Sequence, residues 1–302
     1  IVVFNTPGAN ANGVKELVIC ALLLASRKIT EGIKWVKSIA DKGDEVAALV
    51  EKGKSNYVGP EIMGKTMGIV GMGAIGKLVA EAARDLGMRV VCFDRKGESE
   101  IRDVEAVVDI DAVFSASDYL SLHIPCNDYT RNIINSESIG KMKDGVRILN
   151  FARGELVNSD DILAALACGK VAAYATDFPT DEQLGVPGVI AIPHLGASTP
   201  ESEDNCAVMA ADELIGYIER GEVKNSVNLP ALIPPAEFEK RVCVIYRDGE
   251  GVREGIVAAL GGNIVSLCSA TKKGIGYLVC DTPDPDAEKI SAANGVIRVR
   301  VI

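Results

Sequence analysis

One run of glycines limits the folds open to this chain more than any other feature of its sequence. Gly71, Gly73 and Gly76 form a G-x-G-x-x-G pattern between the apolar segment Thr66–Val70 and an expected helix at Lys77–Leu86. After a strand, the first glycine permits a tight turn, the second admits a pyrophosphate, and the third lets helix and strand pack closely. The helix N-terminus then faces the phosphates. This context predicts a dinucleotide-binding turn.

An acidic residue ends the next expected strand, Arg89–Phe93. Asp94 lies about 20 residues after Gly71, where an acid binds both ribose hydroxyls of NAD and repels the 2′-phosphate of NADP. The sequence therefore favours NAD as the cofactor. Arg95 and Lys96 follow directly and keep NADP open as an alternative, although both lie outside the residues that the structure describes. The alternative interpretation is that the glycine turn and Asp94 are structural features that bind no ligand.

Strands and helices alternate along the middle of the chain. A very apolar helix is expected at Gly13–Arg27, and an amphipathic helix is expected from there to about Lys52. The expected strands are almost continuously apolar, which indicates burial on both faces of a parallel sheet. This alternation predicts a doubly wound α/β domain of the Rossmann type over residues 15–200. The strands are expected at Thr66–Val70, Arg89–Phe93, Asp118–Leu122, Val146–Phe151, Val171–Thr176 and Val189–Ile192.

A smaller domain is expected at the C-terminal end of the chain. A helix at Glu201–Arg220 and an extended linker occupy residues 201–238, and residues 239–302 again alternate between strands and helices. The order is strand, helix, strand, strand, helix, strand, which is the split β-α-β or ferredoxin-like layout. These elements are expected at Val242–Tyr246, Val252–Leu260, Ile264–Ser269, Gly276–Cys280, Pro285–Ala293 and Val296–Val301.

The composition argues against some classes of partner. The chain has 32 basic and 42 acidic residues and a net charge of −10, whereas nucleic acids and anionic membranes select basic surfaces. The longest strongly apolar run, Leu17–Ala25, is shorter than the about 20 residues that span a bilayer. The eight cysteines have no metal-binding spacing and are typical of buried residues in a reducing cytoplasm, so we expect no metal and a cytoplasmic location. The chain begins Ile1-Val2-Val3-Phe4, without Met or a signal-peptide pattern, which we interpret as an internal start.

Acid–base catalysis has few candidates, because the chain contains two histidines. His123 and His194 each follow an expected strand, and the ligand crevice of an open α/β sheet lies at the carboxyl ends of the strands. A satisfied structural histidine is the alternative for either residue. Arg153 also lies just past a strand, and its planar guanidinium suits a substrate carboxylate and the carbonyl beside it.

Three carboxylates follow the strand Val171–Thr176, namely Asp177, Asp181 and Glu182. A carboxylate beside His194 would favour the protonated imidazole and fix its tautomer, as a proton donor to a developing alkoxide requires. An arginine, a histidine and a carboxylate at strand ends beside an NAD site predict hydride transfer to a 2-keto acid.

Several motifs carry a resemblance to a known family. They are the loop Asn5–Asn10 with Lys15-Glu16-Leu17, the G-x-G-x-I-G turn, Asn150–Gly154, Phe178-Pro179, Pro193–Thr199 and Ile297–Ile302. Together they resemble the D-isomer-specific 2-hydroxyacid dehydrogenase family, most closely its members that oxidise 3-phospho-D-glycerate. The resemblance implies NAD-dependent oxidation of that acid to 3-phosphohydroxypyruvate, the first step of serine synthesis. A dehydrogenase of another D-2-hydroxy acid, such as glycerate or lactate, and an NAD-sensing interaction protein of the same fold are the alternatives.

The resemblance also implies roles for individual residues. Arg153 and His194 bind the substrate, His194 is the acid and base, and Asn10 reaches the substrate across the cleft. Asp181 is the expected carboxylate partner of His194 and Glu182 the alternative, because residues 176–182 depart from the usual Asp-Val-Phe-x-x-Glu pattern of the family. The residues implied in NAD binding are Gly71, Gly73, Ala74, Ile75, Gly76, Asp94, His123, Phe151, Ala152, Arg153, Asp177, His194, Gly196 and Ala197.

The resemblance also implies what the two ends of the chain are. Residues 1–14 would be the remnant of a flavodoxin-like substrate domain, and residues 239–302 an ACT regulatory domain. Serine is not favoured as its effector, because Tyr246, Arg247 and Asp248 stand where serine-binding relatives carry His and Asn, and only Asn263 matches. A homodimer or homotetramer is expected, with Gly13–Arg27 at the interface and a small phosphorylated 2-hydroxy acid as substrate.

Overall fold

The computed structural model describes residues 1–94 and 99–302, which divide into two compact units. The larger unit is Asn10–Glu203, and the smaller unit combines Ile1–Ala9 with Asp204–Ile302. Residues 204–238, within the stretch predicted as a helix and an extended linker, therefore belong to the smaller unit.

The larger unit alternates helices with short strands. Its helices are α1 Ala11–Ser26, α2 Ile29–Ser38, α3 Val46–Gly53, α4 Ala74–Asp85, α5 Ile110–Ala116, α6 Ser136–Lys141 and α7 Ser159–Ala167. Its strands are β1 Thr66–Val70, β2 Arg89–Phe93, β3 Val104–Val107, β4 Tyr119–Leu122, β5 Val146–Asn150, β6 Val171–Thr176 and β7 Val189–Ala191. All neighbouring strands pair in parallel, in the order β3-β2-β1-β4-β5-β6-β7. The strand order reverses between β1 and β4, so the doubly wound sheet is confirmed.

Both faces of this sheet are covered by apolar side chains. Met67 and Ile69 of β1 pack in a core with residues of α1 and α4, such as Leu22 and Val79. Val70 belongs to a second core with residues of α5, α6 and α7. Because successive side chains of a strand point to opposite faces, the continuous burial of β1 follows from its position between these two layers.

Two local expectations for the larger unit are wrong. The amphipathic segment after α1 is not one helix, because a 3₁₀ turn at Ala40–Glu45 separates α2 from α3 and Gly43 there has a φ of +48°. A left-handed residue breaks a right-handed helix. The strand β3 was also missed, since it is a short edge strand. Among the residues that the structure describes, no helix is long and apolar enough to cross a membrane.

The smaller unit contains a four-stranded antiparallel sheet. The long helix α8 Pro200–Arg220 leads into it, followed by β8 Arg241–Arg247, α9 Val252–Leu260, β9 Ser266–Lys272, β10 Ile275–Asp281, α10 Ala287–Ser291 and β11 Val296–Val301. The strand order is β11-β8-β10-β9, with β10 antiparallel to both β8 and β9. This is the split β-α-β arrangement that the sequence predicted.

The sheet of the smaller unit is also covered on both faces. Ile256 of α9 and Ile290 of α10 pack on one face with Val244. The other face contacts the start of the chain and the segment after α8, where Phe4 bridges to Ser226 in an isolated antiparallel pair. The N-terminal residues are therefore structural members of this unit.

Candidate cofactor and catalytic site

The glycine turn between β1 and α4 has room for backbone only. Gly71 has a φ of +105°, and a Cβ there would lie 2.5 Å from the carbonyl oxygen of His123. A Cβ at Gly76 would overlap the carbonyl oxygen of Gly71. A Cβ at Gly73, in contrast, would meet nothing within 4 Å. Gly71 and Gly76 are thus required by the protein itself, and Gly73 leaves open space at the turn where a ligand can approach the backbone.

Helix α4 begins at this turn, and its first residues are Ala74 and Ile75. Its N-cap residue is Gly73, and within the described part of the chain no side chain caps it. The first amides of a helix have no partners inside the helix, so an uncapped N-terminus behind a glycine turn suits a phosphate group.

A cavity of about 550 Å³ adjoins the turn. Gly71, Asp94 and Lys77 line its polar side, together with apolar residues such as Ile101 and Ile133. Lys77 forms an ion pair with Glu100 at 2.5 Å, and this hydrogen bond and charge raise the pKa of the lysine. A cavity of this size is typical of small-molecule sites, and Asp94 places a carboxylate in it at the end of β2.

His123 lies beneath the glycine turn. Its Nε2 atom is 2.9 Å from the hydroxyl of Ser121, and its Nδ1 atom is buried without a partner among the described residues. Burial lowers the pKa of His123 to about 4, so the ring is neutral at pH 7. A neutral, enclosed imidazole supports the turn but is poorly suited to exchange protons with a substrate.

Arg153 follows β5 in a loop whose backbone is hydrogen-bonded to the side chain of Asn150. The buried amide of Asn150 donates to the carbonyl oxygen of Arg153 at 2.9 Å, and its own oxygen accepts from the Ala152 amide at 3.3 Å. The Arg153 side chain is exposed, and it donates to the carbonyl oxygen of Ala152 at 2.6 Å. Phe151 at the start of the loop is buried in the core. The guanidinium is therefore presented to solvent on an anchored backbone.

His194 follows β7 and is exposed. Its ring packs against the ring of Phe178, with centroids 4.4 Å apart and a tilt of 48°. Phe178 also approaches the arginine loop, since a Cβ at Gly154 would lie 3.2 Å from the Phe178 Cβ. The structure thus brings the loops after β5, β6 and β7 together, as the sequence predicted for Arg153 and His194.

Asp177 is the buried carboxylate of this cluster, with 3% of its surface exposed. Its Oδ1 atom has no hydrogen-bond partner in the described residues. Burial raises the pKa of Asp177, and the positive charges of His194 and Arg153 oppose that rise. Its Oδ2 atom would lie 3.7 Å from a Cβ at Gly196. An arginine, a carboxylate and a histidine therefore share one electrostatic environment.

Asp181 and Glu182 are placed differently from what the sequence suggested. Both are exposed on a 3₁₀ turn, Asp181–Gln183. No hydrogen bond or ion pair joins either carboxylate to His194 among residues 1–94 and 99–302. The expected pairing of His194 with Asp181 is not formed in this structure.

The start of α1 also reaches the histidine loop. Asn10 is the N-cap residue of α1, and three residues later a Cβ at Gly13 would lie 3.0 Å from the carbonyl oxygen of Gly196. Ala197 follows in the same turn. Gly13 was not predicted as a site residue, and its only signal in the sequence is a glycine near the start of a strongly apolar helix. Asn10 is therefore close to the same loop, although the structure shows no side-chain hydrogen bond from it as a cap.

The residues present fit NAD on two grounds that belong to this structure. The turn at Gly73 is open where a pyrophosphate would lie, and the unpartnered Oδ1 of Asp177 needs a donor that a carboxamide can provide. In the described residues no cluster of three or more His, Cys, Asp or Glu side chains could hold a metal ion. A parallel α/β unit with these features defines a nicotinamide-dependent oxidoreductase.

Comparison with known proteins gives the family. The sequence model for the NAD-binding domain of D-isomer-specific 2-hydroxyacid dehydrogenases matches residues 19–196. A D-3-phosphoglycerate dehydrogenase of Haemophilus influenzae is 31% identical over 100% of this chain and 76% of that protein. A hydroxypyruvate reductase of Thermotoga maritima is 39% identical over 71% of this chain and 69% of its own length. The solved structure of an NAD-dependent formate dehydrogenase from Staphylococcus aureus with NAD has a TM-score of 0.63 at 25% identity, covering 77% of this chain and 70% of that one.

The chain therefore belongs to the D-isomer-specific 2-hydroxyacid dehydrogenase family. It is an oxidoreductase that carries the family's NAD-binding domain, and the predictions of NAD and of a Rossmann-type fold are confirmed.

Proposed function

We propose that the protein oxidises 3-phospho-D-glycerate to 3-phosphohydroxypyruvate with NAD, and catalyses the reverse reduction. The observation that carries the proposal is the convergence of Arg153, Asp177 and His194 at the carboxyl ends of β5, β6 and β7. The choice of substrate is supported by relatives named D-3-phosphoglycerate dehydrogenase that match the full length of this chain.

Each residue has a chemical task in this proposal. Arg153 binds the substrate carboxylate through its planar fork and polarises the oxygen on C2. His194 removes the hydroxyl proton during oxidation and returns it during reduction. Bound NAD would supply the acceptor for the hydride that leaves C2. The amides at Gly73, Ala74 and Ile75 would hold its pyrophosphate.

Cofactor choice is assigned to Asp94. Its carboxylate lines the cavity at the end of β2, where it would accept hydrogen bonds from both ribose hydroxyls and repel a 2′-phosphate. NAD is therefore proposed as the cofactor used in catalysis.

The smaller unit is proposed as an ACT-like regulatory domain, on the basis of its split β-α-β order. Serine is not its proposed effector. Tyr246 is fully buried at the end of β8, and a Cβ at Gly276 would overlap its ring. This bulky side chain occupies a position where serine-binding relatives carry a polar residue.

A homodimer is also proposed, although the reason differs from the one the sequence suggested. Apolar residues of α1 such as Val18 and Leu22 are buried in the unit's own core, and Leu23 is 42% exposed. Ile29, Ile33 and Val36 of α2 are 42%, 50% and 46% exposed, which makes α2 the better candidate for the interface.

The substrate is tested by NADH oxidation with 3-phosphohydroxypyruvate, hydroxypyruvate and glyoxylate as acceptors. We expect kcat/KM for the phosphorylated acid to exceed the other two by about tenfold or more. A preference for hydroxypyruvate would favour the alternative suggested by the Thermotoga relative. NADH binding without turnover of any 2-keto acid would favour the NAD-sensing interaction protein.

A further inference from the structure

The loop that carries His194 is exposed along most of its length and is anchored at one residue. Pro193, His194 and Leu195 are exposed before this anchor, and Ser198 is exposed after it. Among residues 193–199 only Gly196 is buried. Exposed loops are more mobile than the elements they connect, so the contacts of this buried glycine set the position of the imidazole.

Gly196 lies against the first turn of α1. A Cβ at Gly13 would lie 3.0 Å from the carbonyl oxygen of Gly196 and 2.8 Å from the hydroxyl oxygen of Ser202. In the other direction, a Cβ at Gly196 would lie 3.1 Å from a methyl carbon of Val14. Each glycine therefore faces the other segment with little space for a side chain, and the helix and the loop approach each other through their backbones.

The far end of the loop is fixed at the same place. The Thr199 hydroxyl donates to the hydroxyl of Ser202 at 2.9 Å and accepts from the Ser202 amide at 3.0 Å. Ser202 is itself buried, and its hydroxyl is the atom nearest to a Cβ at Gly13. The Ser198 amide donates to the carbonyl oxygen of Leu195 at 3.0 Å, which closes the loop into a turn. A displacement imposed by α1 would therefore move this turn as a unit.

Helix formation alone gives no reason for a glycine at position 13. Gly13 lies inside α1, and its φ is not in the left-handed region. Alanine is favoured over glycine within a helix. The close approach of the histidine loop is therefore what a glycine serves at this position.

We propose that Gly13 is a positioning residue for His194: the absence of a side chain lets α1 meet Gly196, and this contact fixes the loop that carries the imidazole. On its other side the His194 ring packs on Phe178, with centroids 4.4 Å apart, so the ring is held between two neighbours. The catalytic consequence rests on the proposed function, whereas the position of the loop does not. Gly13 acts through the loop and not on the reacting atoms.

The position of the imidazole can be measured without turnover, because the chain has two histidines. In protein labelled with ¹³C at the histidine Cε1 position, the ring current of Phe178 makes the His194 signal sensitive to small displacements. A His123→Gln variant assigns the two signals. At the same pH as the wild type, Gly13→Ala should move the His194 signal and leave the His123 signal in place.

Two further variants separate positioning from a general effect of an added methyl group. Gly140→Ala adds the same group in α6, where a Cβ would meet nothing within 4 Å in the described chain, and it should leave the His194 signal and kcat unchanged. Adding Ser202→Ala to Gly13→Ala removes the hydroxyl that the new methyl group would meet at 2.8 Å. This double variant should regain part of kcat and part of the original His194 signal position, while Ser202→Ala alone should not raise kcat.

A variant of the opposite kind keeps the test independent of folding. If Gly13→Ala does not fold, Val14→Ala removes the methyl groups that face Gly196 and adds no atom. The loop then loses part of its support, and the His194 signal should also move. Urea unfolding of each variant shows whether a change in the signal is accompanied by a loss of stability.

A kinetic measurement separates this proposal from the proposed function. For reduction of 3-phosphohydroxypyruvate, Gly13→Ala should lower kcat by about tenfold or more, with KM for NADH less affected. A wild type that reduces no 2-keto acid, combined with a moved His194 signal, would refute the proposed function and leave the positioning of the loop intact. An active wild type with an unmoved signal in Gly13→Ala would do the opposite. An equal effect of Gly140→Ala, or a double variant no closer to the wild type than Gly13→Ala, would also overturn the role of Gly13.

Discussion

The buried imidazole beneath the glycine turn should make the stability of the larger unit depend on pH. His123 has a pKa of about 4 in the folded chain, against 6.5 in an unfolded one. Unfolding therefore takes up a proton between these pH values, and stability falls as the pH decreases from 6.5 towards 4. The difference corresponds to about 3 kcal/mol, with about 1 kcal/mol of it lost by pH 5.5.

The perturbation is His123→Gln, which retains a group able to bond the Ser121 hydroxyl but cannot be protonated. Urea unfolding at pH 7.0, 5.5 and 4.5 gives the free energy of unfolding for both proteins. The single tryptophan, Trp35, lies in α2 and so reports on the larger unit. The wild type should be the more stable protein at pH 7, and its advantage should shrink at each lower pH.

The quantity of interest is the difference in the free energy of unfolding between the wild type and His123→Gln. The carboxylates titrate equally in both proteins, so their contributions to that difference cancel. If that difference stays constant from pH 7.0 to 4.5, the folded protein does not hold the His123 ring neutral. A constant offset alone would show only that glutamine packs less well at this position.

Four further substitutions test other parts of the molecule. Asp94→Ala should reduce the ratio of NADPH to NADH dissociation constants towards one, while an unchanged ratio would show that another group selects the cofactor. Gly76→Ala should abolish NADH binding, because its methyl group would overlap the carbonyl oxygen of Gly71. Gly73→Ala has open space around it in the protein, so this variant should fold normally and only weaken NADH binding. Arg241→Met should destabilise the smaller unit by about 3–5 kcal/mol, because it leaves Asp281 buried without its ion pair of 2.6 Å. A smaller loss measured by calorimetry would show that the Asp281 carboxylate is in contact with water.

The elements that the sequence predicted best are those whose signals are local. The limits of β1, β2, β6, α9 and β11 agree with the structure, because each is a short apolar run or helix bounded by glycine or polar residues. The glycine turn could also be predicted from the sequence, because close backbone contacts within the turn require glycine at fixed positions. The edge strand β3 was missed because it is four residues long and has no fully buried residue, so its apolar signal is weak.

The identity of the buried carboxylate could not be predicted in the same way. Asp177 and Asp181 are four residues apart on one loop, and both carry the same side chain. Their difference in burial depends on the anchoring of Gln183 to Ser159, a contact between segments that are 24 residues apart. Such a contact leaves no periodic trace in the sequence. The family pattern therefore suggested Asp181, whereas the packing of this chain encloses Asp177.

Burial also separates the two histidines, which the sequence placed alike at strand ends. The hydroxyl of Ser121 and the glycine turn enclose His123, so it remains neutral and cannot serve as a proton donor near pH 7. His194 lies exposed beside the charges of Asp177 and Arg153. One imidazole consequently supports the backbone of the glycine turn, and the other is the one to which the proposed function assigns proton transfer. A parallel sheet brings both to the same edge, and the local polarity around each ring decides which task it can perform.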